Sequence, residues 1–360
     1  MAANAVDPGN AALTDSAAAI REALDERILV LDGAWGTMLQ GIGLSAHDYR
    51  GGRFRDHPHD LAGDPDVLNL TRPDVVLDIH RRYLAAGADI MTTNTFTATS
   101  IGQRDYGLDA AAVREINLAG ARLARQAADE AGGRFVAGSV GPLNVTLSLS
   151  PRVDDPAFRP VSFDQVRDAY AEQMTALADG GVDLLLIETI FDTLNAKAAV
   201  FACEEVFAAR GLRLPLMISG TITDRSGRTL SGQTPTAFWH SLRHARPFTI
   251  GLNCALGASA MREPLAEIAA VADTMVCAYP NAGLPNEEDK YLETPESLAS
   301  QLARFVEHGW LNIVGGCCGT TPAHIRAIAQ MVDGRPPRRV KAPDHRARYA
   351  GVELVEAEES

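Results

Sequence analysis

Long apolar runs, basic blocks and abundant cysteines are all missing from this sequence of 360 residues. No apolar run approaches 18 residues, and the start MAANAVDPGNAALTDS lacks a basic and apolar leader, so neither a membrane span nor a secretory signal is expected. The net charge of −13, with acids spread along the chain, argues against nucleic acid as the main partner. Five cysteines, an odd number, argue against a disulfide framework and predict a cytoplasmic location.

The rest of the composition is that of a folded protein with a large core. Hydrophobic residues make up 46% of the chain and charged residues 22%, whereas aromatic residues are scarce at 6%. These proportions are typical of a globular protein. A chain of this length can form either one large barrel or two ordinary domains.

Short apolar segments recur along the chain and predict buried β-strands. Each is rich in Val, Ile, Leu or Thr, as strands of a parallel sheet are. They are residues 28–32, 88–94, 134–139, 183–188, 215–220, 248–253, 273–280 and 311–316. Amphipathic stretches separate them, and several end in Gly, as helices often do. Eight such units favour an α/β fold of the (β/α)8 TIM-barrel type over an open doubly wound sheet, although strand order cannot be read from sequence.

The chain divides into a central barrel and two different ends. We interpret residues 1–16 as an N-terminal extension, residues 17–335 as the barrel and residues 336–360, rich in charge and Pro, as a linker-like tail. Within the barrel, residues 41–72 form a long polar loop. Loops of this length are usually functional or disordered.

The predicted strands end in residues that can carry chemistry. Because active sites of such barrels lie at the carboxyl ends of the strands, these residues are expected to share one face. Cys254 follows the sixth strand, and the adjacent pair Cys317 and Cys318 follows the eighth. Three thiolates suit zinc, and three protein ligands leave one tetrahedral position open, as in catalytic zinc sites. The glycines that flank the pair would let both neighbouring sulfurs face one metal.

A structural role is the alternative for each cysteine, since a lone cysteine in a strand is most often a small buried hydrophobe. We assign that role to Cys203, in a predicted helix, and to Cys277, inside the seventh strand. The adjacent pair could instead be a redox pair, but a disulfide between neighbours is strained. His47, His57 and His59 lie in the long loop, where solvated histidines are common, so we do not assign them as metal ligands.

Several motifs together resemble the homocysteine-binding domain of cobalamin-dependent methionine synthase. They are DGAWGT, TNTF, GPLN, ETIFDTLNAKAA, GLNCALGA and GGCCGTTP, and the resemblance spans about residues 20–335. The segments YRGGRF, HPHDLAGDPDVLNLTRPDVV and VADTMVCAYPNAGLPN resemble that enzyme more closely than other members of the wider homocysteine methyltransferase family. The resemblance implies a zinc (β/α)8 barrel that activates the homocysteine thiol for methyl transfer, giving methionine. It also implies that Cys254, Cys317 and Cys318 are the metal ligands and catalytic residues.

The resemblance further implies how the amino-acid part of homocysteine is bound. Asp32 and Glu188 are the candidates for its ammonium group. The candidates for its carboxylate are the backbone N–H groups of Gly33, Ala34, Thr95 and Phe96. Taken without the resemblance, Asp32 could equally form a turn, whereas Glu188 closes an apolar strand, where a buried carboxylate needs a partner. We also place Asn253, beside a predicted ligand, among the substrate-binding residues. Its side chain could support that ligand or simply satisfy a loop.

The full methionine synthase carries further modules for methyltetrahydrofolate, cobalamin and reductive reactivation, and the tail RYAGVELVEAEES resembles its interdomain linker. We therefore interpret the chain as the homocysteine-binding subunit of a split enzyme. Methylcobalamin is then expected on a separate partner polypeptide that binds cobalamin and folate. Two alternatives stay open: a self-sufficient homocysteine S-methyltransferase that uses S-methylmethionine or betaine, and a non-enzymatic scaffold that holds zinc or homocysteine.

Overall fold

Within the residues that the structure describes, eight parallel strands form a barrel surrounded by helices. The computed structural model describes residues 12–223, 226–254, 257–288, 290–344 and 346–357. The strands are β1 (Ala12–Leu13), β2 (Leu29–Val30), β3 (Ile90–Thr92), β4 (Phe135–Val140), β5 (Leu184–Ile190), β6 (Leu212–Arg213), β7 (Leu216–Gly220), β8 (Thr249–Cys254), β9 (Met275–Pro280), β10 (Ile313–Val314), β11 (Arg348–Ala350) and β12 (Leu354–Glu356). The α-helices are α1 (Asp15–Glu26), α2 (Trp35–Ile42), α3 (Ala46–Arg50), α4 (Leu68–Thr71), α5 (Pro73–Ala85), α6 (Ala110–Ala131), α7 (Phe163–Asp179), α8 (Thr193–Arg210), α9 (Pro235–Leu242), α10 (Gly257–Val271), α11 (Pro295–Glu307) and α12 (Pro322–Val332).

The barrel strands neighbour one another in the order β2, β10, β9, β8, β7, β5, β4, β3. A parallel bridge between Leu31 and Ile90 joins the first and last of them, and the Asp32 N–H donates to the Ile90 carbonyl at 3.0 Å. Every apolar segment predicted to be a core strand overlaps one of these strands, and β4, β5 and β8 each extend one or two residues beyond the predicted end. The predicted TIM barrel is therefore confirmed.

Alternate residues of the strands point into the barrel. Its interior holds an apolar cluster that includes Leu29, Leu31, Ile90, Ala137, Leu184, Leu186, Met217, Cys277 and Ile313. Ile20 and Leu24 of α1 belong to the same cluster and cover its amino end. Because side chains alternate along a barrel strand, the residue two positions after an interior residue is also interior. This alternation turns a set of polar side chains toward the carboxyl end of the barrel: Thr92, Ser139, Glu188, Ser219, Asn253 and Tyr279.

The outer helices bury one face against the strands and begin at recognisable caps. The side chains of Thr14, Asp109, Ser162, Asp192, Thr234 and Thr294 each accept a hydrogen bond from a backbone N–H in the first turn of the following helix. Such caps satisfy N–H groups that the helix itself leaves unpaired. Among the described helices, none is long and apolar enough to cross a lipid bilayer.

The loop at residues 41–72 folds over the carboxyl end of the barrel, and α3 and α4 interrupt it. Its Pro65 carbonyl accepts a hydrogen bond from Asn94 Nδ2 at 2.7 Å. Asp66 accepts a hydrogen bond from the Thr97 N–H at 2.9 Å. The loop therefore fixes the turn after β3 and contributes to the wall above the strand ends.

The tail that follows the barrel is in contact with it. Arg338 is buried and donates from Nη2 to the Ala272 carbonyl at 2.8 Å. Further on, β11 and β12 pair as an antiparallel hairpin. The Thr234 N–H at the start of α9 donates to the Val352 carbonyl of the hairpin turn at 3.0 Å. The segment predicted as a linker-like tail thus includes ordered structure that packs on the barrel.

Candidate active site

A cavity of about 280 Å³ opens at the carboxyl ends of the barrel strands. It brings together most of the residues predicted from the sequence, namely Asp32, Gly33, Ala34, Phe96, Glu188, Cys254, Cys317 and Cys318. Its wall also includes Trp35, Pro65, Thr92, Asn94, Ser139, Thr189 and Tyr279. Thr95 and Asn253 are buried and do not line it.

The three predicted cysteine ligands converge at this cavity. Their sulfur atoms all lie within 4.8 Å of one another, and Cys254 Sγ is 3.9 Å from Cys318 Sγ. In a tetrahedral zinc site with bonds of about 2.3 Å, neighbouring sulfurs lie about 3.8 Å apart. Among the described His, Cys, Asp and Glu side chains, no other group of three or more brings its ligand atoms this close. The trio therefore has the chemistry and the spacing to hold a zinc ion.

The sulfurs also influence one another electrostatically. Hydrogen bonds from Cys254 and Cys317 lower the pKa of Cys318 to about 3. The pKa of Cys317 is raised well above its usual range, chiefly by its hydrogen bonds with Cys254 and Cys318. The lowered pKa of Cys318 favours its thiolate, and the thiolate is the form of cysteine that binds metal.

Two residues beside the cavity have backbone conformations that the sequence did not predict. Thr189 has a φ of 56° and Cys254 a φ of 62°, in the left-handed region. Residues other than glycine rarely adopt it, and such strain concentrates at functional sites. Thr189 directly follows Glu188 near the end of β5, and Cys254 is the last residue of β8. Both strained residues therefore lie at strand ends that contribute a reactive side chain to the cavity. No residue type at these positions signals the strain in advance.

The glycines around the cysteine pair are required by close packing. A Cβ on Gly316 would lie 2.5 Å from Cγ2 of Thr320. Gly319 has a φ of +80°, and a Cβ there would lie 2.3 Å from Cβ of Tyr291. These contacts support the interpretation that the turn is built to bring both neighbouring sulfurs to one point.

Asp32 and Glu188 face the cavity as desolvated carboxyl groups. Asp32 accepts hydrogen bonds from the Thr92 N–H and hydroxyl, both at 2.9 Å, and burial raises its pKa well above the usual range. Glu188 accepts a hydrogen bond from Ser139 Oγ at 2.5 Å, and burial raises its pKa to about 7. The charge on Glu188 also raises the pKa of Asp32. Burial disfavours the charged form of both acids, and a cationic group bound beside them would stabilise that form.

Backbone N–H groups reach the cavity at the start of α2, directly after Asp32. The N-cap Ala34 offers no capping side chain, and its N–H donates to Thr320 Oγ1 at 3.2 Å. A helix amino end carries partial positive charge and favours an anion. A Cβ on Gly33 would lie 2.8 Å from Cε1 of Tyr83, so only glycine fits this approach.

The two predicted residues after β3 have different surroundings. Phe96 lies at the rim of the cavity with 36% of its surface exposed. The Thr95 N–H donates to the Thr93 carbonyl at 2.9 Å, and its hydroxyl donates to the Ser139 carbonyl at 2.8 Å. Thr95 therefore supports Ser139, which in turn holds Glu188, and its own N–H is already engaged.

Sequence reasoning did not assign Ser139 and Trp35 to the site, and it noted Tyr279 only as an aromatic residue near the strand ends; all three line the cavity. The signal for Ser139 and Tyr279 was strand alternation, since each lies two residues after an interior position of its strand. Trp35 donates from Nε1 to the Thr92 carbonyl at 3.3 Å. Its position depends on how α2 packs over β3, which local sequence does not reveal.

The remaining cysteines and the loop histidines lie away from the trio. Cys203 and Cys277 are fully buried, as predicted for structural cysteines, and burial raises the pKa of the Cys277 thiol to about 12. His57 Nε2 lies 2.8 Å from the Tyr106 carbonyl, and His59 packs beside Gly107. Neither histidine joins the cysteine group.

Comparison with known proteins gives a consistent result. The profile of the family described as homocysteine S-methyltransferase matches residues 29–332. The metallated form of the homocysteine methyltransferase MmuM from Escherichia coli is 26% identical, with a TM-score of 0.67 over 87% of this chain and 99% of that one. The oxidised form of MmuM, at 23% identity and a TM-score of 0.66 over 88% of this chain and 99% of that one, shows the same fold.

The family match spans most of the chain and contains the cavity, its carboxyl groups and its three cysteines. The structural likeness extends over nearly the whole length of MmuM. On this evidence the chain is a methyltransferase that belongs to the homocysteine S-methyltransferase family.

Proposed function

We propose that the chain binds zinc through Cys254, Cys317 and Cys318 and transfers a methyl group to the thiol of homocysteine, giving methionine. We propose further that it is the homocysteine-binding subunit of a split cobalamin-dependent methionine synthase in the cytoplasm. Methylcobalamin would be carried by a partner polypeptide that also binds folate. The observation that carries the proposal is the meeting of three sulfurs and two buried carboxyl groups, those of Asp32 and Glu188, at one cavity.

The cysteine trio supports zinc because three thiolates with tetrahedral spacing and one side open to the cavity suit a catalytic site of this metal. A free alkyl thiol has a pKa near that of cysteine, about 8.5, and is mostly protonated at neutral pH. Zinc, when bound, would lower the pKa of the homocysteine thiol and supply a nucleophilic sulfur. The three cysteine charges would keep that sulfur electron-rich.

The chain's own residues would bind and orient the amino-acid part of the substrate. Asp32 and Glu188 would accept hydrogen bonds from its ammonium group, whose positive charge offsets the cost of burying these carboxylates. The backbone N–H groups of Gly33 and Phe96 and the start of α2 would receive its carboxylate. The Ala34 N–H would join them by exchanging its hydrogen bond to Thr320 Oγ1 for one to the substrate. Holding both ends fixes the thiol in one direction relative to the cavity mouth, which favours direct displacement.

The displacement itself is simple to balance. A bond forms between the homocysteine sulfur and the methyl carbon as the bond between that carbon and its donor breaks. The electron pair of the broken bond stays with the donor, and the thiol proton goes to solvent. The chain therefore has to orient the thiolate of homocysteine and leave the cavity open to the methyl donor.

The choice of a cobalamin donor rests on the sequence resemblance of the segments YRGGRF, HPHDLAGDPDVLNLTRPDVV and VADTMVCAYPNAGLPN. Two of these lie over or beside the cavity, since Pro65 and Tyr279 line it. Two of the segments that resemble cobalamin-dependent methionine synthase thus contribute residues to the cavity wall.

A second donor class is favoured by a different observation. The aromatic side chains of Trp35, Phe96 and Tyr279 all line the cavity, although aromatic residues make up only 6% of the sequence. Aromatic faces stabilise onium cations. A self-sufficient enzyme that uses S-methylmethionine or betaine is therefore the alternative.

The test uses the zinc-loaded chain with homocysteine and free methylcobalamin, and follows demethylation of the cobalamin by absorbance. Parallel reactions with S-methylmethionine and with betaine are assayed for methionine. We expect homocysteine to demethylate methylcobalamin, and we expect no methionine from S-methylmethionine or betaine. Turnover with S-methylmethionine or betaine but not with methylcobalamin would replace the first proposal by the alternative.

Two variants test the metal assignment in the same assay. Cys317→Ala is expected to lose stoichiometric zinc and activity while its far-UV circular dichroism stays that of the parent. Cys277→Ala removes a fully buried cysteine of the same barrel and is expected to retain zinc. Stoichiometric zinc in Cys317→Ala would refute this ligand set.

A further inference from the structure

Asn253 ends the buried part of β8 directly before Cys254, and its side-chain amide contacts three other strand ends. Its Oδ1 accepts hydrogen bonds from the Thr189 N–H at 3.0 Å and from Ser219 Oγ at 2.7 Å. Its Nδ2 donates to Thr189 Oγ1 at 2.7 Å and lies 4.0 Å from Cys317 Sγ. An amide oxygen accepts two hydrogen bonds and an amide nitrogen donates two. Asn253 therefore has no capacity left for substrate.

The contacts of Asn253 coincide with the strained backbone of the site. Thr189 is held at both its N–H and its hydroxyl by the one amide. Thr189 and Cys254 are the residues beside the cavity with left-handed φ values. Such conformations persist only when the surroundings impose them. The amide of Asn253 is bonded to the first of these residues and adjacent in sequence to the second.

We propose that Asn253 is a positioning residue that couples the cysteine trio to the end of β5, where Glu188 lies. It orients the backbone that presents Cys254, approaches the sulfur of Cys317, and fixes Thr189 next to Glu188. One buried amide thereby sets the distance between the sulfur end and the ammonium end of the site. This rests on the proposed function in taking the trio as zinc ligands.

The approach to Cys317 gives the coupling a chemical basis. An N–H group donates a stronger hydrogen bond to an ionised acceptor than to a neutral one. The Asn253 N–H lies 4.0 Å from the Cys317 sulfur, so the amide contacts this proposed ligand directly. Partners of metal ligands commonly change metal affinity by about 10- to 100-fold when they are removed. Loss of this amide is therefore expected to weaken zinc binding as well as homocysteine binding.

The experiment compares Asn253→Ala with Asn312→Ala. Asn312 is equally buried, accepts from the Val276 N–H at 2.9 Å and donates to the Arg338 carbonyl at 2.9 Å, but lies at the amino end of the barrel. Zinc affinity is measured by competition with a chromophoric chelator, and stability by thermal melting. We expect Asn253→Ala to bind zinc about 10- to 100-fold more weakly. We expect Asn312→Ala to keep the parent affinity although its melting temperature falls.

A milder variant keeps the test valid if Asn253→Ala does not fold. Ser219→Ala removes the 2.7 Å hydrogen bond that orients the amide and leaves Asn253 in place. It is expected to lower zinc affinity by a smaller factor and to raise the KM for homocysteine with little change in kcat. Zinc affinity within twofold of the parent in both site variants, or an equal loss in Asn312→Ala, would overturn the proposal. Zinc affinity is read without substrate, so a parent protein that binds zinc but no homocysteine would count against the proposed function alone.

Discussion

Asp64 and Asp66 are fully buried carboxyl groups beside the site, and neither belongs to an ion pair among the described residues. Gln103 Nε2 lies 3.3 Å from one oxygen of each, while Asp64 Oδ2 and Asp66 Oδ1 have no hydrogen-bond partner in the described structure. Burial raises the pKa of Asp64 to about 6. Burial and then the charge of Asp64 raise the pKa of Asp66 to about 8.

These shifts predict how stability depends on pH. An acid whose pKa is higher in the folded protein binds its proton more tightly there, so the folded state is favoured below the unfolded pKa of about 3.9. That advantage is lost as pH rises toward the folded values of about 6 and 8. Asp64→Asn removes one of the charges and supplies an N–H donor beside Asp66. We expect it to raise the free energy of unfolding at pH 8 by about 1–2 kcal/mol and to flatten its decline between pH 5 and 8.

Denaturant unfolding at pH 5 and pH 8 measures this effect. Asp56→Asn, an exposed position in the same loop, is the control and is expected to unfold like the parent at both pH values. If the free energy of unfolding of Asp64→Asn fell between pH 5 and 8 as steeply as that of the parent, the pH dependence could not be assigned to Asp64 and Asp66.

At the scale of elements, the turn between β10 and α12 does the most to shape the site. The Cys317 N–H donates to the Pro280 carbonyl at 2.8 Å, and the Cys318 carbonyl accepts from the Ala282 N–H at 2.8 Å. The turn is thus bonded to the segment after β9 on both sides of the cysteine pair. Its shape depends on Gly319, where the backbone is left-handed and Tyr291 packs against the Cα.

Gly319→Ala is predicted to disrupt this turn. The added Cβ would meet Tyr291 at 2.3 Å in a backbone conformation that costs a side chain roughly 1 kcal/mol by itself. We expect weaker zinc binding and a lower melting temperature. Gly334→Ala is the matched control, because Gly334 has a φ of +67° with no atom within 4 Å of the added Cβ. Equal effects of the two substitutions on zinc affinity would show that the contact with Tyr291 is unimportant.

At the scale of the whole molecule, the barrel closes where β2 meets β3, and Asp89 holds the amino end of that seam. Its carboxylate accepts hydrogen bonds from Arg27 at 2.8 and 2.9 Å, from Arg134 at 2.7 Å and from the Val30 N–H at 3.0 Å. Asp89 is nearly fully buried, whereas both arginines are partly exposed. One carboxylate thereby joins the strands on either side of β3.

Asp89→Asn is expected to lower the free energy of unfolding by about 1–3 kcal/mol, because it leaves two arginines without their shared partner and solvent screens part of the loss. Because Asp89 lies at the end of the barrel opposite the cysteines, zinc affinity should be unchanged. Denaturant unfolding and chelator competition on the same samples measure both quantities. Asp78→Asn, which removes an exposed pair with Arg82, should change stability by less than about 0.5 kcal/mol. A loss of zinc binding in Asp89→Asn would contradict the separation of the two ends.

The strands and the proposed metal ligands could be located from the sequence for a local reason. An apolar run predicts a strand wherever it occurs, and the residue that follows it belongs to the carboxyl end of the barrel whatever the packing is. That logic located Cys254, Cys317, Cys318 and Glu188 without any knowledge of strand order. The family resemblance then supplied roles for residues whose type alone left alternatives open, such as Asp32.

Only the tertiary structure decided how these residues act on one another. The left-handed backbone of Thr189, the hydroxyl of Thr95 bonded to the Ser139 carbonyl and the amide of Asn253 bonded across strand ends all depend on contacts between segments far apart in the chain. Strand alternation indicated which face Ser139 and Tyr279 occupy, but the cavity they share exists only once the barrel closes. The sequence by itself determined which chemical groups reach the carboxyl end of the barrel. Packing between distant strands determined the distances between these groups, their orientations and their pKa shifts, because each of these depends on neighbours that other strands supply.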